Sequence, residues 1–255
     1  MKQSIIPATL AICALAYAHP TLSADKPHDA KPAHWSYSGH GDPAHWSELQ
    51  PDFASCKLGK EQSPIDIRDA AKAELPALGF SYAAGRAEVV NNGHTIQVNV
   101  GDGNSAKLGG ADYKLLQFHF HTPSEEKVNG KAYPLVAHMV HKNAEGKLAV
   151  VAVLFSEGKE NPLLKKVFAK MPRQADGKAE LAEPLNPADL LPAAQGYYAF
   201  MGSLTTPPCS EGVRWQVLKQ PLEISKDQLA TFRKLYPMNA RPVQALNGRS
   251  LQQSQ

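Results

Sequence analysis

The sequence predicts a mixed α+β fold dominated by its sheet, built as a single domain with short helices at its surface. Three observations carry this. Apolar and polar residues alternate over several stretches between residues 89 and 141, an unbroken apolar run covers residues 148–155, and the helical patterns are few and short. In chain order, residues 34–46 form an aromatic and histidine-rich segment. Strand character begins near Phe80, continues through Val89-Val90 and alternates over residues 95–100 before glycine-rich turns lead to Gly110. Residues 113–121 and 134–141 alternate again, and the run at 148–155 predicts a strand covered on both faces. Asn161 as cap and Pro162 at the first position predict a helix over 161–170; Ser225 as cap and Asp227 in the first turn predict another over 225–235. No linker divides the chain after its start.

Composition excludes several classes. A chain of 255 residues, 43% hydrophobic and 20% charged, is long enough to bury a substantial core and too apolar for general disorder. Its 18 Gly and 20 Pro follow no repeat. The net charge of +3 comes with no block of like charges, which argues against nucleic acid or an anionic membrane surface as partner. At the start, Lys2 precedes an apolar stretch over residues 5–18 and then small residues, the pattern of an export leader cleaved after Ala18 or, leaving the polar run from Asp25 in front, after Ala24. The stretch is too short for an ordinary membrane span. Residues 1–24 are therefore expected to be a signal peptide, residues 25–33 a mobile lead-in, and the mature protein periplasmic or secreted. Two cysteines then remain, Cys56 and Cys209, and an oxidising compartment favours joining them. Neither has a CxxC neighbour, so a redox pair or cysteine-zinc site is unsupported.

The chemistry centres on histidines. In Gln117-Phe118-His119-Phe120-His121 the two imidazoles share a strand face, their Cα atoms about 6.5–7 Å apart, so both can meet one Zn²⁺ at about 2.0–2.1 Å. Ten histidines in the chain yield about 0.4 such pairs by chance, so the pair alone says little. A second stretch, Ala137-His138-Met139-Val140-His141, follows a turn region containing Asn129-Gly130, and an antiparallel neighbour brings one more histidine to the shared face. Three neutral nitrogens with an open fourth position are the arrangement of a catalytic zinc. His138 and His141 point to opposite faces of a strand, so only one can join; spacing does not choose between them.

These residues, QFHFHTPSE with AHMVH downstream, resemble the zinc core of the α-class carbonic anhydrases. The resemblance extends through HWSYSGHGDPAHW (34–46), QSPIDI (62–67), NNGH (91–94), LAVVAVLF (148–155), GSLTTPPCSEGVRW (202–215) and RPVQ (241–244), co-linear over a domain spanning 34–246, with 247–255 as a C-terminal tail. It implies a central twisted, mostly antiparallel sheet with a conical active-site cleft, and Zn²⁺ held by His119, His121 and His138, with His141 a non-ligand core position. It further implies reversible hydration of CO2 to bicarbonate and a proton by hydroxide on the zinc. In that scheme Thr205 accepts the hydroxide proton, Glu125 accepts the Thr205 proton, and Thr206 contacts bicarbonate. Val140, Val150, Leu204 and Trp215 form an apolar wall suited to a substrate without net dipole. His94 is implied as proton shuttle, with Tyr37, Asn92 and Gln97 ordering the intervening water. A shuttle is needed because release to water alone, from a group with pKa near 7, is limited to about 10³ s⁻¹. Cys56 and Cys209 stand where exported members pair. A monomer or homodimer is expected.

Two positions depart from the family pattern. The glutamate usual two residues before the third ligand is here Val136, and the histidine common after the Glu125 position is here Glu126. Glu126 is expected to orient His138 from the other side, in space left by Val136, and Gln117 to hold His119. Two rival readings are a non-enzymatic binding module on the same fold and a zinc esterase as side activity. The ligands, the Thr205–Glu125 pair and the shuttle favour CO2 hydration.

Overall fold

Ten strands lie side by side in one path through a computed structural model that describes residues 34–255. The expected leader at 1–24 and lead-in at 25–33 lie outside the described residues. In chain order the strands are β1 (Ala71–Ala73), β2 (Ala87–Asn91), β3 (Ile96–Val100), β4 (Ala111–His121), β5 (Leu135–Lys142), β6 (Leu148–Glu157), β7 (Lys178–Glu180), β8 (Tyr197–Ser203), β9 (Glu211–Leu218) and β10 (Gln252–Ser254). Their spatial order is β7-β2-β3-β4-β5-β6-β9-β8-β10-β1, and three short strands attach beside this path. Within it, pairing is antiparallel except for β6 with β9 and β10 with β1. The sheet is thus large, mixed and mostly antiparallel, as the family resemblance implies.

The apolar run becomes β6, at the centre, buried from Ala149 to Phe155. Both helices form. Asn161 accepts from the Leu163 and Leu164 amides to cap Pro162–Phe168, and Ser225 caps Lys226–Arg233 in a reciprocal box with Gln228.

The structure differs from the pattern in three places. Alternation along β4 breaks at Leu116: Val140 pairs with Gln117 but His141 with Leu115, so Leu116 is an extra, exposed residue. This bulge lets Tyr113 and Leu115 share a core with Phe118 and Phe120, although the residue parity differs. The strands β8 and β9 go beyond those the pattern predicts, because β8 has no simple period of burial. The end of the chain, expected to trail the domain, contains β10, which pairs with β8 and β1. Gln252-Gln253-Ser254 offers no apolar alternation; main-chain pairing recruits it, with the Ser254 hydroxyl accepting from the Tyr197 amide at 2.9 Å and the Gln253 side chain donating to the Ala70 carbonyl at 2.7 Å.

One core packs Phe118, Phe120, Met139, Val151 and Val153 against both helices. The other face carries Val136, Val140, Val150, Trp215 and Val217 beneath Ile65 and Ile67. Cys56 and Cys209 are bonded, Cα atoms 5.0 Å apart across 153 residues of chain. Among the described residues no helix is long and apolar enough to cross a membrane.

Candidate active site

The register of the central strands builds the site. One row across the sheet reads Gln97, His119, His138, Ala152 and Val217 on β3, β4, β5, β6 and β9. The adjacent row reads Asn99, Gln117, Val140, Val150 and Trp215. Each row is polar at its β3 end and apolar at its β9 end. His119 and His138 lie opposite one another where the character changes, and His121 follows two residues along on the same face.

One nitrogen from each of His119, His121 and His138 lies within 4.8 Å of the other two. The remaining nitrogen of each ring is occupied. His119 Nδ1 donates to Gln117 Oε1 at 2.9 Å, His121 Nδ1 to the Asn239 carbonyl at 2.7 Å, and His138 Nε2 to both oxygens of Glu126 at 3.1 Å. Nε2, Nε2 and Nδ1 therefore face one another. His121 Nε2 is buried with no hydrogen-bond partner, as suits a nitrogen placed to bind a metal. Burial, with His138 alongside, pushes His119 down to about 3 and His121 well below its ordinary range. Both are thereby neutral, the form that binds metal. Burial also disfavours charge on His138, but Glu126 and Glu125 outweigh it and raise its pKa. This donor set fits a single divalent cation.

Glu125 stands next to the cluster. Its Oε1 accepts from the Arg241 amide at 2.8 Å, while Oε2 lies 3.5 Å from His121 Nε2 and 3.7 Å from His138 Nδ1. Burial raises its carboxyl to about 7, partly opposed by His138 and by the hydroxyl of buried Thr205 beside it. The Tyr37 hydroxyl is buried without a partner, and its pKa is raised by desolvation and then by the nearby Glu125 charge. Of four such orphaned side-chain atoms among the described residues, three belong here: Tyr37 Oη, His121 Nε2 and Glu125 Oε2.

The loop carrying Thr205 and Thr206 is closed by Leu204 N to Ser210 O at 3.0 Å and Cys209 N to Thr206 O at 2.8 Å. Buried Arg241 ties this loop to the site. Its guanidinium donates to the Cys56 carbonyl at 2.7 Å and to Gln62 Oε1 at 2.9 Å, and Gln62 in turn donates to the Cys209 carbonyl. The disulfide, the Thr205 loop and Glu125 are thus one braced unit. Val140, Val150 and Trp215 are buried in the apolar half, with Leu204 packed against them.

On the polar half, Asn92 Oδ1 accepts from the His94 and Thr95 amides at 3.0 and 2.9 Å, and Gly93 turns the chain at φ +83°, where a side chain would be strained. The His94 ring stacks on Trp35, centroids 3.6 Å apart. Desolvation, with His34 nearby, lowers its pKa. Asn92 donates to Gln97 at 3.5 Å, Gln97 to Asn99 at 2.7 Å and Asn99 to Glu88 at 3.0 Å, a polar ladder leading away from His119.

His141, the alternative third ligand, is on the other face. Its Nδ1 donates to the Met139 carbonyl at 2.9 Å and its Nε2 accepts from Tyr82 Oη at 2.6 Å. Sequence reasoning missed Asn239 and Arg241. Arg241 stands in the RPVQ motif, a signal that could have marked it; Asn239 has none.

Fold and site together define a metalloenzyme class: a mixed sheet presenting three imidazoles, each with one nitrogen free, beside a buried carboxylate. A model of eukaryotic-type carbonic anhydrase matches residues 41–255. A carbonic anhydrase of Pectobacterium carotovorum is 48% identical over 217 residues, 85% of this chain and 89% of that protein. The α-carbonic anhydrase of Thermovibrio ammonificans, solved with the inhibitor sulfanilamide, is 49% identical with a TM-score of 0.84, covering 88% of this chain and 99% of that one. Dioscorin, solved with ascorbate, is 33% identical with a TM-score of 0.80, covering 86% and 97%. The chain belongs to the eukaryotic-type, α-class carbonic anhydrase family, and it is an enzyme of the carbonate dehydratase kind.

Proposed function

We propose that the protein is an exported zinc enzyme that interconverts CO2 and bicarbonate, with His119, His121 and His138 holding the metal. The carrying observation is the convergence of three free ring nitrogens, one of them buried and unpartnered, beside Glu125. When bound there, Zn²⁺ acidifies water and so supplies a nucleophile for CO2 at neutral pH; carbonic anhydrase is itself the reference case of this effect. The chain's own residues do the rest. Glu125, held by the Arg241 amide, accepts a hydrogen bond from the Thr205 hydroxyl, and this leaves the Thr205 oxygen free to accept a hydrogen bond from the attacking water. That one-way chain fixes the direction of the water's lone pair. Val140, Val150, Leu204 and Trp215 keep the CO2 side dry, and Thr206, following the family resemblance, contacts bicarbonate. His94 carries the product proton outward, its lowered pKa making it ready to accept again, while Tyr37, Asn92 and Gln97 order the water between.

Export to the periplasm or medium is supported by the apolar start of the sequence and by the Cys56–Cys209 bond. Stopped-flow CO2 hydration by zinc-loaded protein, against the same protein stripped by chelator, tests the reading. Activity that disappears with the metal and returns on zinc addition is expected; equal rates in both samples overturn it.

A further inference from the structure

The three metal-facing histidines are braced by unequal acceptors: an amide oxygen on His119, a main-chain carbonyl on His121 and a carboxylate on His138. Only the last carries charge. Glu126 is fully buried, with both oxygens 3.1 Å from His138 Nε2, the one donor bonded to that carboxylate among the described residues. A buried carboxylate is costly unless a cation or strong donor answers it. Among the described residues, His138 Nε2 has no other hydrogen-bond acceptor. Val136, two residues earlier on the same face of β5, is fully buried and offers only methyl groups. The loop bearing Glu126 is itself pinned: Ser124 Oγ donates to the Glu126 carbonyl at 2.7 Å and accepts from the Tyr133 amide at 2.8 Å, and the Ser124 amide donates to the Tyr133 carbonyl.

We propose that Glu126 is a positioning residue for the metal centre. Its carboxylate fixes the His138 ring with Nδ1 turned toward His119 and His121, and its charge, passed through that imidazole, tightens the hold on a divalent cation. Carboxylate–histidine–metal relays of this kind govern affinity as well as ring orientation. The inference rests on the zinc reading above and concerns only the third arm.

Zinc affinity of the full chain, measured by competition with a chromogenic chelator, tests it. Glu126→Gln keeps size and an acceptor but removes the charge, and should weaken zinc about 10-fold; Glu126→Ala removes both and should weaken it about 100-fold. Thermal melting of the Gln variant in excess chelator should match the parent, which separates positioning from general stability. With Co²⁺ at saturation, the visible spectrum of the Gln variant should shift, since the His138 ring is no longer held from behind. Parent-like zinc affinity in Glu126→Gln overturns the inference, even if the Ala variant fails to fold. If instead the parent takes up no zinc, or takes it up equally after His121→Ala, the zinc reading itself fails.

Discussion

His138 and His141 lie three residues apart on β5, and the two faces of the sheet make different things of them. On one face His138 spends Nε2 on Glu126 and keeps Nδ1 for the cluster. On the other, His141 has both nitrogens answered, by the Met139 carbonyl and the Tyr82 hydroxyl, and nothing remains to offer a metal. Their titration diverges accordingly. Burial works against charge on both, but two carboxylates raise the pKa of His138, whereas His141 is pushed down to about 4. Residue type and burial are therefore poor guides to a ligand. The unanswered nitrogen is the better one.

The largest expected break in this comparison is His138→Ala, which should abolish zinc retention and cut CO2 hydration by more than the about 100-fold that losing an outer partner costs, while His141→Ala keeps its zinc. Metal analysis with stopped-flow assay checks both. Thr205→Ala should cost about 100-fold in hydration at full zinc content, because the water loses its oriented acceptor. His141→Ala should instead lower unfolding free energy by about 2 kcal/mol, through a cavity and an unpaired Tyr82 hydroxyl, measured by denaturant titration. The sign of its pH effect follows from the depressed folded pKa. Above about pH 6.5 His141 is neutral folded and unfolded; below it the unfolded chain takes a proton the fold refuses, so stability falls as pH drops toward 4, and that part of the slope disappears in the variant.

The polar half of the site gives smaller effects. His94→Ala should lower kcat about 10-fold with kcat/KM held, and imidazole buffer should restore it. Trp35→Ala uncovers the His94 ring, so the pKa that desolvation lowers should return upward and carry the midpoint of the kcat–pH profile with it, a shift read from rates alone.

Much of the fold was legible because burial imposes period. The alternation at 95–100 and 134–141, the apolar run of β6 and the capped helices all leave a mark in side-chain order. β8 and β10 do not, since one has irregular burial and the other is held by main-chain pairing and polar side chains rather than by an apolar face. The site divides similarly. The shared strand face of His119 and His121 is visible in their spacing, though it says little until a third histidine joins them, whereas the roles of Thr205, Glu125 and His94 come from motif resemblance. Asn239 braces His121 with its carbonyl, a group every residue possesses, so side-chain identity does not advertise that contact; Arg241, which braces Glu125 with its amide, is marked only by its place in the RPVQ motif.

By itself the sequence determined that a strand would present paired imidazoles, because a period of two is local and needs no knowledge of neighbours. Motif resemblance pointed to His138 as the third imidazole and to Glu126 as its partner, but which nitrogen of each ring is left over was decided only in three dimensions. That assignment depends on strand register and on partners brought in by the fold, among them Asn239, 118 residues from His121, and no local pattern encodes a contact across that distance.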